Sequence, residues 1–385
     1  MNLDRRGFLR GAAATGLLST ALPPIMAQTA AATVVETPIT DKTIALNGDS
    51  PPTTHEAEVE KLLALMTKGP YADVYLKGGA VTEFEQHMAK LLGKEDAGFF
   101  PTGTLANNLA VRLLCGDRKN LLIQHEAHLY QDEGEGPSLL SGINMIPTGG
   151  PGKPIPPLED WAEALDVASK TAYYPMRVGA LSIESPVRRG NGTSVPYPLA
   201  KQITDLARSR GLGTHLDGSR LFLLSGTPGF EVKSYCALFD TVFVSLYKFF
   251  GAPFGAILAG KKELIAEAKE LRHTFGGLTY HGWMAALPAL SACDGFEARF
   301  TQAHLAAEKL LKGLQAAGGF TVQRVENGSN IAFVMVSPAR EKGLADRLKA
   351  ADIHVAPIVD GKMKLWWNES ILRRPTEELL AVFTG

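Results

Sequence analysis

Residues 213–260 read GTHLDGSRLFLLSGTPGFEVKSYCALFDTVFVSLYKFFGAPFGAILAG, and the fold is decided here. Two short apolar runs each lead to a charged residue, Gly213–Leu216 into Asp217 and Thr241–Leu246 toward Lys248. Both are brief, rich in β-branched and aromatic residues and bounded by glycine, which predicts buried strands of a parallel sheet. In open α/β sheets ligands gather at the carboxyl ends of the strands, where Asp217 and Lys248 fall. An acid and a lysine 31 residues apart, both followed by glycine-rich turns, supply what pyridoxal phosphate requires. The amine forms a Schiff base with the aldehyde, and the carboxylate pairs with the pyridinium nitrogen. A salt bridge between two strand ends is the plainer alternative.

Upstream, a strand at Ala97–Phe100 runs into Pro101-Thr102-Gly103-Thr104 and then an apolar helix through Leu114. A strand, a Gly-Thr turn and a helix N-terminus make an anion site, since free N–H groups and the helix dipole point at the turn. Gly103 and Thr104 are therefore the candidate phosphate cup. Strand and helix keep alternating: strand Leu121–Gln124, the polar loop His125–Gly136, strand Ala180–Glu184, helix Leu199–Arg210, and helices from Lys261–Leu271 to about Ala292. The tail reads as a smaller α/β unit: helix 298–316, strand Ile331–Val336, helix Glu341–Ala350, strand Lys362–Trp366 and a helix from Pro375. Helical spacing also marks His55–Thr67, through Val59, Leu62, Leu63 and Met66, and Val81–Leu92. The fold class expected is α/β: a large doubly wound, mostly parallel sheet domain (55–292), a small C-terminal α/β domain (293–385) and an extended arm (33–54).

Asp4-Arg5-Arg6-Gly7-Phe8-Leu9-Arg10 resembles a twin-arginine export signal, with a weakly apolar stretch to Met26 and small-residue cleavage positions after Ala27 and Ala32. That stretch is too short and too interrupted to span a membrane, so residues 1–32 are expected to be removed and the mature chain to reside in the periplasm, without a stable membrane anchor. The 385 residues are 45% hydrophobic and 21% charged, with a formal net charge of −1. Losing the leader's three arginines and one aspartate leaves about −3, which speaks against nucleic-acid binding. Cys115, Cys236 and Cys293 show no metal spacing and read as buried free thiols.

Taken together these segments resemble the threonine aldolase group of the β-eliminating lyase superfamily, pyridoxal-phosphate enzymes of fold type I. The resemblance rests on His215-Leu216-Asp217-Gly218-Ser219-Arg220, on Tyr247–Gly260, on Pro101–Asn107, on Ala127-His128-Leu129-Tyr130-Gln131-Asp132-Glu133 and, in part, on Asp73-Val74-Tyr75. It runs from about residue 44 to the C-terminus. It implies pyridoxal 5'-phosphate as cofactor, a small amino acid as substrate and a homodimer or homotetramer. It implies Lys248 as the Schiff-base lysine, Asp217 as the pyridinium partner, and Gly103 and Thr104 as phosphate binders. His128 would stack on the ring and shuttle a proton, Arg220 would bind at the cofactor and the substrate carboxylate, and Tyr75 would reach a neighbouring subunit's site.

The departures fall on the substrate side. A histidine tied to aldol chemistry is replaced by Val187 within Glu184-Ser185-Pro186-Val187-Arg188, and a serine near the carboxylate is lost in Gly48-Asp49-Ser50. The second carboxylate-binding arginine aligns loosely with Lys362-Met363-Lys364-Leu365-Trp366, giving Lys362 as substrate contact; a lysine lacks arginine's bidentate fork. Val187, Phe275 and Trp366 suggest an apolar pocket for a bulky β-substituent. The reaction expected is retro-aldol cleavage of a β-hydroxy-α-amino acid to glycine and an aldehyde, with Lys248, His128 and Asp217 catalytic and the base being His128, another residue or a water. A β-eliminating lyase or racemase on the same scaffold is the nearest alternative, and a non-catalytic binding protein the next.

Overall fold

The computed structural model describes residues 39–66, 71–171 and 173–385. The leader expected at residues 1–32 lies outside them, as does the first part of the arm, and among the described residues no helix is long and apolar enough to cross a membrane. Seven strands form the main sheet: β2 (Asp96–Phe100), β3 (Asn120–Gln124), β4 (Asn144–Thr148), β5 (Val178–Glu184), β6 (Gly213–Asp217), β7 (Thr241–Ser245) and β8 (Ala256–Gly260). Their spatial order is β2-β8-β7-β6-β5-β3-β4. Only β8 is antiparallel to its neighbours. β5, β6, β7 and β8 are buried at nearly every position, as strands covered by helices on both faces require.

Because β8 alone runs backwards, Phe100, Gln124, Glu184, Asp217 and Ser245 end their strands along one edge, with Glu184 in register with Asp217. Helix α1 (Gly103–Cys115) starts at that edge, directly after β2, with the Thr102 hydroxyl accepting the Leu105 N–H at 3.2 Å. The antiparallel β8 is not among the strands expected from the sequence, which places only a glycine-rich turn after Lys248. It needs Gly255, whose φ of +108° and 2.8 Å virtual contact with Phe99 exclude a side chain.

Past Lys248 the chain is fixed by aromatic packing. Phe249 and Phe250 are buried against Phe222 and Phe296, with ring centroids 4.6–6.2 Å apart. Each buried phenylalanine contributes roughly 1.5–3 kcal/mol, so the backbone beside Lys248 is held by a hydrophobic anchor. The smaller domain carries an antiparallel sheet of order β12-β10-β9, made of β9 (Phe320–Arg324), β10 (Ile331–Val336) and β12 (Lys362–Trp366). The helix expected at 341–350 begins only at Leu344, because Gly343 is left-handed with φ +70°. The three cysteines are buried and free, and burial pushes each thiol up to about 12.

The arm is not loose. β1 (Ile44–Leu46) pairs in parallel with β11 (Ile353–Val355), and the wholly buried Asn368 amide lies within 3.0 Å of the carbonyls of Ala45, Gly48 and Ser50. Arg373 holds the Thr43 carbonyl at 2.6 Å, and the Ser50 hydroxyl donates to the Lys248 carbonyl. Asn368→Ala strands those carbonyls without a donor, at a cost of about 1–3 kcal/mol. Thermal unfolding should show a lowered midpoint, and hydrogen exchange should show faster exchange confined to residues 43–52. A uniform rise across the chain would contradict this local tether.

Candidate active site

Asp217 ends β6 with 2% exposure, and its carboxylate receives the Asn107 Nδ2 at 3.1 Å and the Ser219 N–H at 3.1 Å. Asn107, fully buried on the second turn of α1, donates at 2.9 Å from the same nitrogen to Glu133 Oε1. Its own oxygen takes the His215 Nε2 at 3.0 Å, while His215 Nδ1 accepts from the Thr241 hydroxyl at 2.8 Å. Burial lowers His215 to about 4, so the ring stays neutral and works as an oriented donor. Glu133 in turn reaches the His128 Nδ1 at 3.2 Å. A single asparagine thus ties together a buried acid, a second acid and the histidine above them.

The Glu184 carboxylate, fully buried at the end of β5, accepts the His128 N–H at 2.7 Å and the Arg188 N–H at 2.8 Å. Burial and then the Asp217 charge push Glu184 up to about 7. Lys248 follows β7, and burial, reinforced by Arg220, brings its ammonium down to about 8. A cavity of about 290 Å³ is lined by Gly103, Thr104, His128, Glu133, Ser219 and Lys248. Gly103 is obligatory there, since a Cβ would lie 2.6 Å from the Phe243 ring.

Arg220 Nε bonds Asp49 Oδ2 at 2.8 Å, and the Trp366 indole N–H holds the other Asp49 oxygen at 3.0 Å. Arg220 Nη1 is buried without a partner among the described residues. Lys364 Nζ lies 4.8 Å over the Trp366 ring and 3.3 Å from Asn191 Oδ1. Lys362, expected as the substrate contact, is instead exposed with its ammonium 4.1 Å over Phe333. The reason is strand geometry: alternate residues share a face but lie about 6.6 Å apart, so Lys364 takes the place assigned to Lys362. Tyr75 is 52% exposed, edge-on to Tyr280, and does not line the cavity.

The apolar pocket is not assembled either. Val187 is fully buried, with its N–H on the Thr193 carbonyl, and Phe275 lies under Arg112 on a separate core cluster with Leu105 and Leu264. Of the three residues only Trp366 reaches the Arg220 region. In the sequence Asn107, Glu133 and Glu184 stand only as motif letters, without roles of their own. The legible signal for Asn107 was a polar residue one helical turn past Gly103 inside an apolar helix.

Residues 46–337 match the family described as beta-eliminating lyase. The chain belongs to that family. Among its relatives, the alanine racemase TOXG of Cochliobolus carbonum is 32% identical over 263 residues, 66% of this chain and 66% of that protein. The low specificity L-threonine aldolase of Escherichia coli (strain K12) is 28% identical over 300 residues, 77% of this chain and 87% of the relative. A crystal structure from Exiguobacterium sp. 255-15, provisionally assigned as an aromatic amino acid beta-eliminating lyase/threonine aldolase, superposes with a TM-score of 0.75 at 23% identity, over 89% of this chain and 96% of that one. The architecture of this beta-eliminating lyase family member is that of fold type I pyridoxal-phosphate enzymes.

The residues present fit that cofactor. A lysine lowered to about 8 and a helix N-terminus open on one cavity, with the buried, oriented carboxylate of Asp217 tied to its wall through Asn107 and Glu133, are its donor set, and the Glu133 Oε2 and Ser245 Oγ lack partners among the described residues. His128 is held above its ordinary value, first by its hydrogen bond to Glu133, against burial. The folded chain therefore binds this proton more tightly than the unfolded one. Its stabilisation is complete below the unfolded value and fades as pH rises through the folded one. His215 has the opposite sign, and its contribution is lost as pH falls from about 6.5 toward 4. Glu133→Gln should lower the His128 midpoint in an NMR titration; an unmoved midpoint would show that Glu133 does not hold the proton.

Proposed function

We propose that this family member is a pyridoxal-phosphate-dependent lyase that cleaves β-hydroxy-α-amino acids to glycine and an aldehyde. The observation that carries the reading is that Lys248, His128 and Glu133 line one cavity, with Glu133 joined through Asn107 to the buried Asp217. Lys248, Asp217, His128 and the Gly103-Thr104 turn would hold the cofactor. When bound it supplies the electron sink for the bond broken at Cα. Arg220 Nη1 and Lys364 bind the substrate's α-carboxylate, opposite Asp49. His128, its Nδ1–H turned to Glu133, presents its other ring nitrogen unprotonated in the neutral ring and is the base available for the β-hydroxyl, since Val187 offers none.

Racemisation is the second reading. His128 and Lys248 line the same cavity, and two proton-exchanging groups at one Cα could invert it; the relative TOXG is described as an alanine racemase. Borohydride reduction of the holoenzyme and peptide mapping should place the pyridoxyl label on Lys248. A label on another lysine would sink the assignment. Asp217→Ala should keep the fold and lose most turnover. Glycine with an aldehyde as products supports cleavage, whereas D-alanine formed from L-alanine supports racemisation.

An exported homo-oligomer is part of the same proposal. It rests on Arg5-Arg6 and on helix His55–Leu65, which buries no residue and leaves Val59 and Leu63 each 57% exposed. A face of this kind is expected to be covered by another subunit. Fractionation followed by sedimentation should find a dimer or tetramer in the periplasm. Cytoplasmic protein, or a monomer at micromolar concentration, would count against one half or the other.

A further inference from the structure

We infer that the Ser219 hydroxyl is a further cofactor-binding group, donating to the phenolic oxygen on the ring of bound pyridoxal phosphate; the inference rests on the cofactor site proposed above. The turn after β6 carries the argument. The Ser219 N–H donates to Asp217 Oδ1 at 3.1 Å, so the serine is fixed to the acid at the strand end. Both neighbouring strands pin the turn. The Asp217 carbonyl accepts the Ser185 N–H at 3.1 Å, just past β5, and the Gly218 N–H donates to the Phe243 carbonyl of β7 at 2.9 Å. A Cβ on Gly218 would lie 2.9 Å from that same carbonyl oxygen, so the close approach excludes a side chain there. The Leu221 N–H closes the turn on the Gly218 carbonyl at 2.8 Å.

Ser219 is only 3% exposed, yet it lines the same cavity as Lys248 and His128. Its hydroxyl makes no hydrogen bond among the described residues. A buried hydroxyl without a partner is costly, and one on a cavity wall is satisfied by what fills the cavity. Other polar groups of that wall are already engaged. The Thr102 hydroxyl accepts the Leu105 N–H, and Glu133 Oε1 meets Asn107 and His128. Tyr247 is half exposed and also borders a larger outer groove. Lys248, His128 and Thr104 have the roles proposed above. The cofactor, for its part, presents four polar positions: the aldehyde, the phosphate, the ring nitrogen and the phenolic oxygen. Lys248, the Gly103-Thr104 turn and Asp217 answer the first three. The phenolic oxygen carries negative charge and calls for a donor, and Ser219 is the unused donor hung from Asp217.

Three measurements other than turnover test the idea, each comparing Ser219→Ala with the unaltered protein. The melting temperature of the cofactor-free variant should stay level or rise, because no bond within the chain is lost. Its Kd for pyridoxal phosphate should rise about tenfold, the order of one hydrogen bond to a charged group. A hydrogen bond donated to the phenolic oxygen stabilises its charge against proton uptake. Without it, the pH midpoint of the bound cofactor's visible absorption should move up by about half to one unit. Glu133, His128 and Lys248 line the cavity in both proteins and Asp217 is untouched, so the shift reads the hydroxyl alone. An upward midpoint supports the contact. An unmoved midpoint overturns it even where the Kd rises, since the hydroxyl would then sit elsewhere on the cofactor. A lowered melting temperature of the cofactor-free variant also overturns it, by giving the hydroxyl a partner within the chain. Failure of the unaltered protein to bind pyridoxal phosphate overturns the cofactor site itself.

Discussion

Asn107 sits where four elements meet, and its three hydrogen bonds organise the site. It has one acceptor and two donors, and the structure uses all of them: His215 from β6 donates to the oxygen, and Asp217 and Glu133 share the nitrogen. Nothing in this arrangement can rotate, because a flipped amide would set its oxygen against two carboxylates and its nitrogen against the donor of His215. Buried polar chains of this kind are costly when incomplete and rigid when complete. The neutrality of His215 is part of the same logic. Its low value follows from burial, and a neutral ring presents one donor and one acceptor to the two partners it has.

The rest of the site hangs from that clamp and from Glu184. Asn107 aims the carboxylate of Asp217, and the carboxylate of Glu184 fixes the backbone of His128. Both stand at strand ends because six of the seven strands run the same way. The lysine is placed differently, by Phe249 and Phe250 locked into an aromatic cluster and by the arm's Ser50 on its carbonyl. The arm is therefore a working part of the site. It carries Asp49 to Arg220, and its tether is Asn368 from the far end of the chain.

This division separates the two halves of the candidate site physically. The half that would hold the cofactor is built on the sheet, from strand ends and a helix start whose positions the core dictates. The half that would hold the substrate is assembled from the arm, the turn after β5 and β12, segments joined by a few polar contacts, Gly48 and Asp49 to Trp366 and Asn191 to Lys364. Such contacts can be exchanged without disturbing the core. Accordingly the changes cluster there: Val187 buried, Arg188 beside it, Lys364 over Trp366 and Asp49 between Arg220 and an indole.

The sequence by itself determined the alternation of strand and helix, the strand–turn–helix at Gly103-Thr104 and the placing of Asp217 at the end of one strand and Lys248 just past the end of another. These follow from local rules: apolar period, glycine punctuation and the polarity of βα units. It did not determine that β8 runs antiparallel, since a short apolar run carries no direction. Nor could it choose Lys364 over Lys362, because both lie on one face of β12 and only the packing against Trp366 and Asn191 separates them. The buried side of Val187, the retreat of Phe275 to another core cluster and the partners of Asn107 belong to the tertiary structure alone. Each depends on contacts between segments tens to hundreds of residues apart, and no local pattern encodes which distant group will arrive.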